Sequence, residues 1–335
     1  MSSKAIRLNS RSLRKLRREL LVWYQQHRRD LPWRKDSDPY RVWVSEIMLQ
    51  QTRVAAVLGH YGRFMLRFPT VQSLAAARES SVLGVWSGLG YYHRARRMHQ
   101  AAKVIARERK GEFPRTAEEW RKLPGIGRYT AAAIASIACD EAAAVVDGNV
   151  ERVLGRVYGA IESREGAWLQ AETLLDRERP GDFNQAMMEL GATLCTPRAP
   201  QCLLCPLNTW CQSKGGGAAQ PRPMRKRKDH CYALVRRKRA VLLVRRPADA
   251  SLMARMWELP ALSEGQRSGC TPVLKLRHAI TDTDYQVSVF ALPLKQLQSR
   301  EVAARWFTPK QWERLPLTGL ARKVLRKLED ESSEY

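Results

Sequence analysis

Two short stretches decide how this chain folds: Leu123-Pro-Gly-Ile-Gly-Arg-Tyr-Thr-Ala131, and close behind it Val146-Asp-Gly-Asn-Val150. In the first, Gly125 and Gly127 make a tight turn ahead of a helix that begins near Tyr129. Glycine lets a backbone approach another group closely, and the first turn of a helix presents N–H groups with no intrahelical partner. Together they can hold a phosphate oxygen. Alone, a Gly-x-Gly between helices is most often a plain turn; the second stretch gives it meaning. There Asp147 opens a further helix, where an aspartate is commonly no more than an N-cap.

Outward from this pair the pattern is helical. Leu13, Leu16, Leu20, Trp23 and Tyr24 recur at helical spacing, with Arg14, Lys15, Arg17 and Arg18 on the other side. The same period predicts helices over Arg41–Gln51, Ala55–Phe68, Arg94–Arg109, Thr116–Leu123, Tyr129–Ala138, Asn149–Tyr158, Gly166–Leu175 and Phe183–Leu194. No strand-like alternation precedes about residue 230, so residues 1–213 are expected to form one all-helical domain. Glycines, prolines and basic residues then crowd into Lys214–Lys228, which reads as a basic linker over 214–229. Beyond it, Cys231–Val235 and Ala240–Val244 flank a basic turn, Tyr285, Val287, Val289 and Ala291 alternate, and Leu317–Leu328 suits a closing helix. Residues 230–335 are therefore expected to be a small α+β domain.

The charge points to a partner. Lys and Arg number 58 against 33 acids, a net +25 over 335 residues. Solubility needs far less than this, and a polyanion such as nucleic acid is the usual reason for such a surplus. No apolar run is long enough to span a bilayer, and Met1–Asn9 has no signal-peptide core, so a soluble intracellular protein with no membrane partner is expected. The cysteines number seven, an odd count that argues against a disulfide framework. Four of them follow the spacing Cys195-x6-Cys202-x2-Cys205-x5-Cys211, which lets four thiolates converge on one soft metal site. Spacing alone admits zinc as well as an iron–sulfur cluster. Two acids also stand out. Asp147 is one; Glu46, among Val44, Ile47 and Met48, must face at least partly inward.

Leu31-Pro-Trp-Arg34, Val44-Ser-Glu-Ile-Met-Leu-Gln-Gln-Thr52, Gly88-Leu-Gly-Tyr-Tyr92 and Phe183-Asn-Gln-Ala186 add to the two opening stretches and the cysteine spacing. Taken together, across nearly the whole helical region, they resemble the MutY family of adenine DNA glycosylases, within the helix-hairpin-helix superfamily. The resemblance implies an all-α helix-hairpin-helix glycosylase domain whose loop 195–211 carries a [4Fe–4S] cluster on Cys195, Cys202, Cys205 and Cys211, in a structural role. It implies DNA as partner and, as reaction, hydrolysis of the N-glycosidic bond of adenine mispaired with 8-oxoguanine or guanine in base excision repair. Such cleavage needs a proton on the departing base and a negative charge facing the sugar, the two-carboxylate logic of glycosidases. By resemblance Glu46 protonates adenine and Asp147 faces the sugar, with Tyr129 and Asn149 in support. Endonuclease III carries at the Tyr129 position a lysine whose amine attacks the sugar; a phenol forms no Schiff base, so a monofunctional glycosylase is implied. The target base must leave the duplex. Gln51 and Tyr91 match residues that insert into the stack, though a loop amide and core packing would otherwise explain them, and Trp33, Arg34 and Gln185 match residues that line the adenine pocket.

Leu252-Met-Ala-Arg-Met-Trp-Glu-Leu-Pro260 resembles the Nudix-like module of the same family. A Nudix hydrolase needs an acid-rich metal-binding helix soon afterwards, and Ala261–Cys270 supplies none, so a recognition module without hydrolase activity is implied. The family often checks for 8-oxoguanine with a Phe-Ser-His loop. Ile280, Thr281 and Asp282 stand in that place, where the hydroxyl survives and the aromatic and imidazole do not. The expected assembly is a DNA-associated monomer. Two other readings are a thymine mismatch glycosylase of the same superfamily and a non-catalytic cluster-bearing DNA binder, the latter disfavoured by the intact Glu46 and Asp147.

Overall fold

The computed structural model describes residues 9–159, 161, 163–214, 225–250, 252–263, 270–280, 282–297, 303–313 and 315–330. The chain divides into two compact units, one of Met1–Ala75 with Gln100–Pro221 and the other of Ala76–His99 with Arg222–Tyr335. No helix among the described residues is long and apolar enough to cross a membrane.

The first unit is helical: α1 Ser10–His27, α2 Pro39–Leu49, α3 Val54–Arg67, α4 Val71–Ala76, α7 Ala117–Arg121, α8 Arg128–Cys139, α9 Gly148–Tyr158, α10 Arg164–Leu174 and α11 Pro180–Thr193. Helices α1, α2, α9 and α10 start where a side chain can accept an orphan N–H, from Asn9, Asp38, Asp147 and Ser163 in turn. Helix α8 packs against α2, α7 and α11, and α11 also packs against α1 and α9. Leu16 and Leu20 of α1, Val153 and Leu154 of α9 and Phe183 and Leu190 of α11 share one core, on which Leu207 and Trp210 of the cysteine loop also rest. Helix α9, which Asp147 caps, thus rests on the same core as that loop.

Two elements of the second unit lie early in the sequence, α5 Glu79–Trp86 and the first half of α6 Tyr92–Arg107. The helical period predicted α6 from Arg94 and nothing at α4 or α5, which are too short to show a face. The rest is α+β, as expected. Strand β1 Lys226–Leu234 runs parallel to β6 Thr283–Ala291, which pairs antiparallel with β5 Leu274–Ile280. A second sheet has β3 Ala240–Arg245 paired with β2 Arg236–Arg237, β4 Trp257–Glu258 and β7 Ala304–Phe307. The short helix α12 Pro309–Trp312 leads towards α13 Gly319–Asp330, whose Leu320, Val324 and Leu328 share a core with Leu243, Trp257 and Val289. Strand β1 begins inside the stretch read as linker, because its first five residues are charged or polar and exposed. They show no alternation, and pairing with β6 makes them a strand.

Candidate active site

Helix α2 is buried along most of its length, and Glu46 within it is 6% exposed. An ionised carboxylate there gives up hydration that apolar neighbours do not replace. Burial pushes its pKa from the ordinary 4.5 up to about 7, a hydrogen bond from Tyr129 pulls it down, Asp147 adds to the rise and Arg34 opposes it. Burial wins, so Glu46 holds a proton close to neutrality. The Tyr129 hydroxyl, on the first turn of α8, lies 3.1 Å from Glu46 Oε2 and 3.1 Å from Met188 Sδ, and its single proton serves one of them at a time. Burial first, then the carboxylates of Glu46 and Asp147, hold that phenol well above its ordinary pKa, so it remains neutral.

Asp147 is indeed the N-cap of α9. Its Oδ1 accepts from Asn149 N at 2.9 Å and Val150 N at 2.7 Å, and its Oδ2 accepts from Asn149 Nδ2 at 3.1 Å. Three donors hold this carboxylate in place at the positive end of α9, and capping the helix leaves it free to face a ligand. Asn149 is itself held: its Oδ1 accepts from Arg152 Nη2 at 2.9 Å. Arg152 continues outward, donating to Gly191 O at 2.7 Å and to Cys195 O at 2.8 Å. Gly191 has to be glycine, because a Cβ there would stand 2.7 Å from that of Asn149. The cysteine loop is thereby joined to the candidate carboxylate by side-chain hydrogen bonds. Sequence reasoning missed Arg152, which reads as one basic residue among many.

It also missed Glu189, although an acid inside an apolar helix was the signal that marked Glu46. The Glu189 side chain, on α11, is 1% exposed. It accepts from Arg29 Nε at 2.6 Å and Nη2 at 2.8 Å, from Arg29 N at 3.2 Å, and from Arg34 Nη2 at 2.9 Å. Burial alone would raise its pKa, but the bonds and charges of Arg29 and Arg34 outweigh that and hold it below the usual range. Arg34 is thus clamped, with its guanidinium 5.6 Å from the centre of the Tyr24 ring. Trp33 is buried edge-on against Tyr61, and Gln185 is half-buried on α11, one turn before Met188.

The remaining predicted residues lie at turns. Gln51 follows α2, exposed, in the left-handed region with φ 55°. Gly125 has φ 81°, and Gly127 precedes α8 without a side-chain cap, leaving the helix's first N–H groups to other acceptors. Tyr91 belongs to the second unit and also has a left-handed φ, 46°. Thr281 lies outside the described residues; Ile280 ends β5, and Asp282, just before β6, is paired with Lys226 at 3.4 Å.

None of the seven cysteines is in a disulfide, and Cys195, Cys202, Cys205 and Cys211 are each half-buried. Burial pushes the Cys205 thiol up to about 11; a backbone bond at Leu207 lowers it, and Cys195, Cys211 and Cys202 raise it further. Four half-buried thiols in one short loop suit a group that takes thiolates. Arg156 Nη1 stands 3.2 Å from Cys195 Sγ, a cation beside that sulfur. Among the described residues no group of three or more His, Cys, Asp or Glu is gathered as a site for a metal ion.

Residues 44–173 match the model of the HhH-GPD superfamily of base excision DNA repair proteins. The adenine DNA glycosylase of Mus musculus is 37% identical over 94% of this chain and 78% of its own length. That of Homo sapiens is 51% identical over 59% of this chain, which spans only 39% of the human protein. Among solved structures, a thermostable thymine-DNA glycosylase superposes with a TM-score of 0.57 at 29% identity, covering 60% of this chain and 96% of that one.

Proposed function

The chain belongs to the adenine DNA glycosylase family, and on that footing we propose that it hydrolyses the N-glycosidic bond of adenine mispaired with 8-oxoguanine or guanine, without cutting the strand. The observation that carries this reading is Glu46, a buried carboxyl protonated near neutrality, bonded to Tyr129 and within electrostatic reach of a triply bonded Asp147. Glu46 hands its proton to a ring nitrogen of the flipped adenine. The C1′–N9 bond breaks with its electron pair going to the base, and Asp147 faces the cationic sugar until water adds at C1′. Arg34, clamped by Glu189, and Gln185 present donors to the base edge, with Trp33 beside them. Tyr129 holds the Glu46 carboxyl and supplies no amine, which favours a monofunctional enzyme.

Cys195, Cys202, Cys205 and Cys211 would hold a [4Fe–4S] cluster, for which four thiolates are the usual ligand set. When bound, the cluster supplies a tether that fixes loop 195–211 and so anchors Arg152. Purified protein is expected to be yellow-brown, with about four irons per chain. Metal analysis finding zinc and no iron would overturn this ligand assignment. Residues 230–335 are proposed as a Nudix-like module that reads the base opposite adenine, Thr281 included, on an enzyme that acts as a DNA-associated monomer inside the cell.

Duplexes differing only in one mispair test the function. Adenine should be released opposite 8-oxoguanine or guanine, and the strand should break only after alkali. Release of thymine from a T:G pair would favour the thymine glycosylase reading, for which the structural likeness to such an enzyme speaks. Release of no base would leave a DNA binder.

A further inference from the structure

In the second unit, Leu317 O accepts from Ser87 Oγ at 2.8 Å and from the Tyr92 hydroxyl at 3.1 Å. Arg322 of α13 donates from Nε to Ser87 Oγ at 2.9 Å and from Nη2 to Leu315 O at 3.0 Å. Ser87, Tyr92 and Leu317 are buried, so these bonds form away from water, where an unmade one is costly. Leu317 cannot easily yield. Trp257 N donates to Pro316 O at 2.9 Å, and Trp257 O accepts from Thr318 N at 2.9 Å. A further tie runs from Arg96 of α6 to Ala254 O.

Between the two bonded residues Ser87 and Tyr92 lies Gly88-Leu-Gly-Tyr91. Gly88, Gly90 and Tyr91 all have left-handed φ values, 109°, 70° and 46°. Glycine takes such values freely; tyrosine takes them only where the surroundings over-determine its backbone. Trp86 Nε1 donates to Gly90 O at 3.0 Å, and the Arg94 guanidinium lies 5.3 Å from the Tyr91 ring centre. The ring of Tyr91 remains partly exposed.

We infer that Ser87, Tyr92 and Arg322 are positioning residues: they clamp both ends of the Tyr91 turn to the Leu317 carbonyl and so hold the ring ready to enter the DNA stack. This rests on the reading of Tyr91 as an inserted residue. The C-terminal segment then does more than read a base, because it also holds the wedge. Loosening the clamp leaves Tyr91 free to relax from its strained backbone, and insertion loses its preorganisation.

The test uses the full chain and a duplex whose mispaired adenine carries a 2′-fluoro group that blocks excision, with 2-aminopurine beside the opposite base as a stacking probe. Arg322→Ala and Tyr92→Phe should each weaken binding by about tenfold, the size of one buried or charge-assisted hydrogen bond, and shrink the fluorescence change. With Tyr91 already replaced by Ala, Arg322→Ala should have no further effect, since contacts acting through one residue are not additive. Equal losses with and without Tyr91 would overturn the inference and mark Arg322 as structural. Should Arg322→Ala fail to fold, Tyr92→Phe, which removes one oxygen and keeps the ring, is tested against Tyr91→Ala in the same way. If Tyr91→Ala alone changes neither binding nor fluorescence, the wedge reading itself falls, and the inference with it.

Discussion

Glu46→Gln is expected to reduce single-turnover adenine excision by roughly 10²–10⁴-fold, the usual worth of a positioned proton donor. Binding of the mispaired duplex should barely change. Glutamine matches glutamate in size, and its carbonyl can accept the Tyr129 bond, but it has no proton to give. The substitution should also stabilise the protein. A carboxyl whose pKa rises from 4.5 to about 7 on burial disfavours its own ionisation in the fold by about 3 kcal/mol. The stabilising effect of the neutral carboxyl is complete below about 4.5 and is lost as the pH rises through about 7. The gain in melting temperature on Glu46→Gln should therefore be greater above neutrality than well below it. Excision at the normal rate by this variant would remove Glu46 from the chemistry.

Asp147→Asn should cost about 10²–10³-fold in excision, the range seen when one preorganised electrostatic group is lost from a transition state. Asparagine caps a helix about as well as aspartate. Its side-chain oxygen can still accept from Asn149 N and Val150 N, so α9 should persist and the melting temperature should move little. What disappears is the negative charge proposed to face the sugar, together with the bond from Asn149 Nδ2, which an amide nitrogen cannot accept. Unchanged excision together with a clear drop in melting temperature would reduce Asp147 to a helix cap.

Much of this site was legible because each signal was local. Glu46 interrupts an apolar helix, Asp147 opens another, one helix after the glycine turn, and the four cysteines lie in one short loop. The partners that hold these groups were not legible, because they come from distant parts of the chain. Arg29 and Arg34 meet Glu189 about 155 residues later in sequence, and Arg152 meets Cys195 on another segment. A basic protein offers too many arginines for composition to single out the few that are bonded. Glu189 itself carried the mark that identified Glu46 and was passed over. The grouping of Ala76–His99 with the C-terminal segment goes with bonds made by Ser87, Tyr92 and Arg322, which no periodicity foretells.

The pH dependence of single-turnover adenine excision, measured with enzyme in excess over a mispaired duplex, bears most directly on Glu46 as proton donor. The rate should be level at acidic pH and fall as the pH rises through about 7, by about tenfold per unit beyond it, as the buried carboxyl loses its proton. The residual activity of Glu46→Gln should lack that fall. A native rate that stays flat, or rises, from about pH 6 to about pH 9 would contradict a protonated Glu46 as the acid.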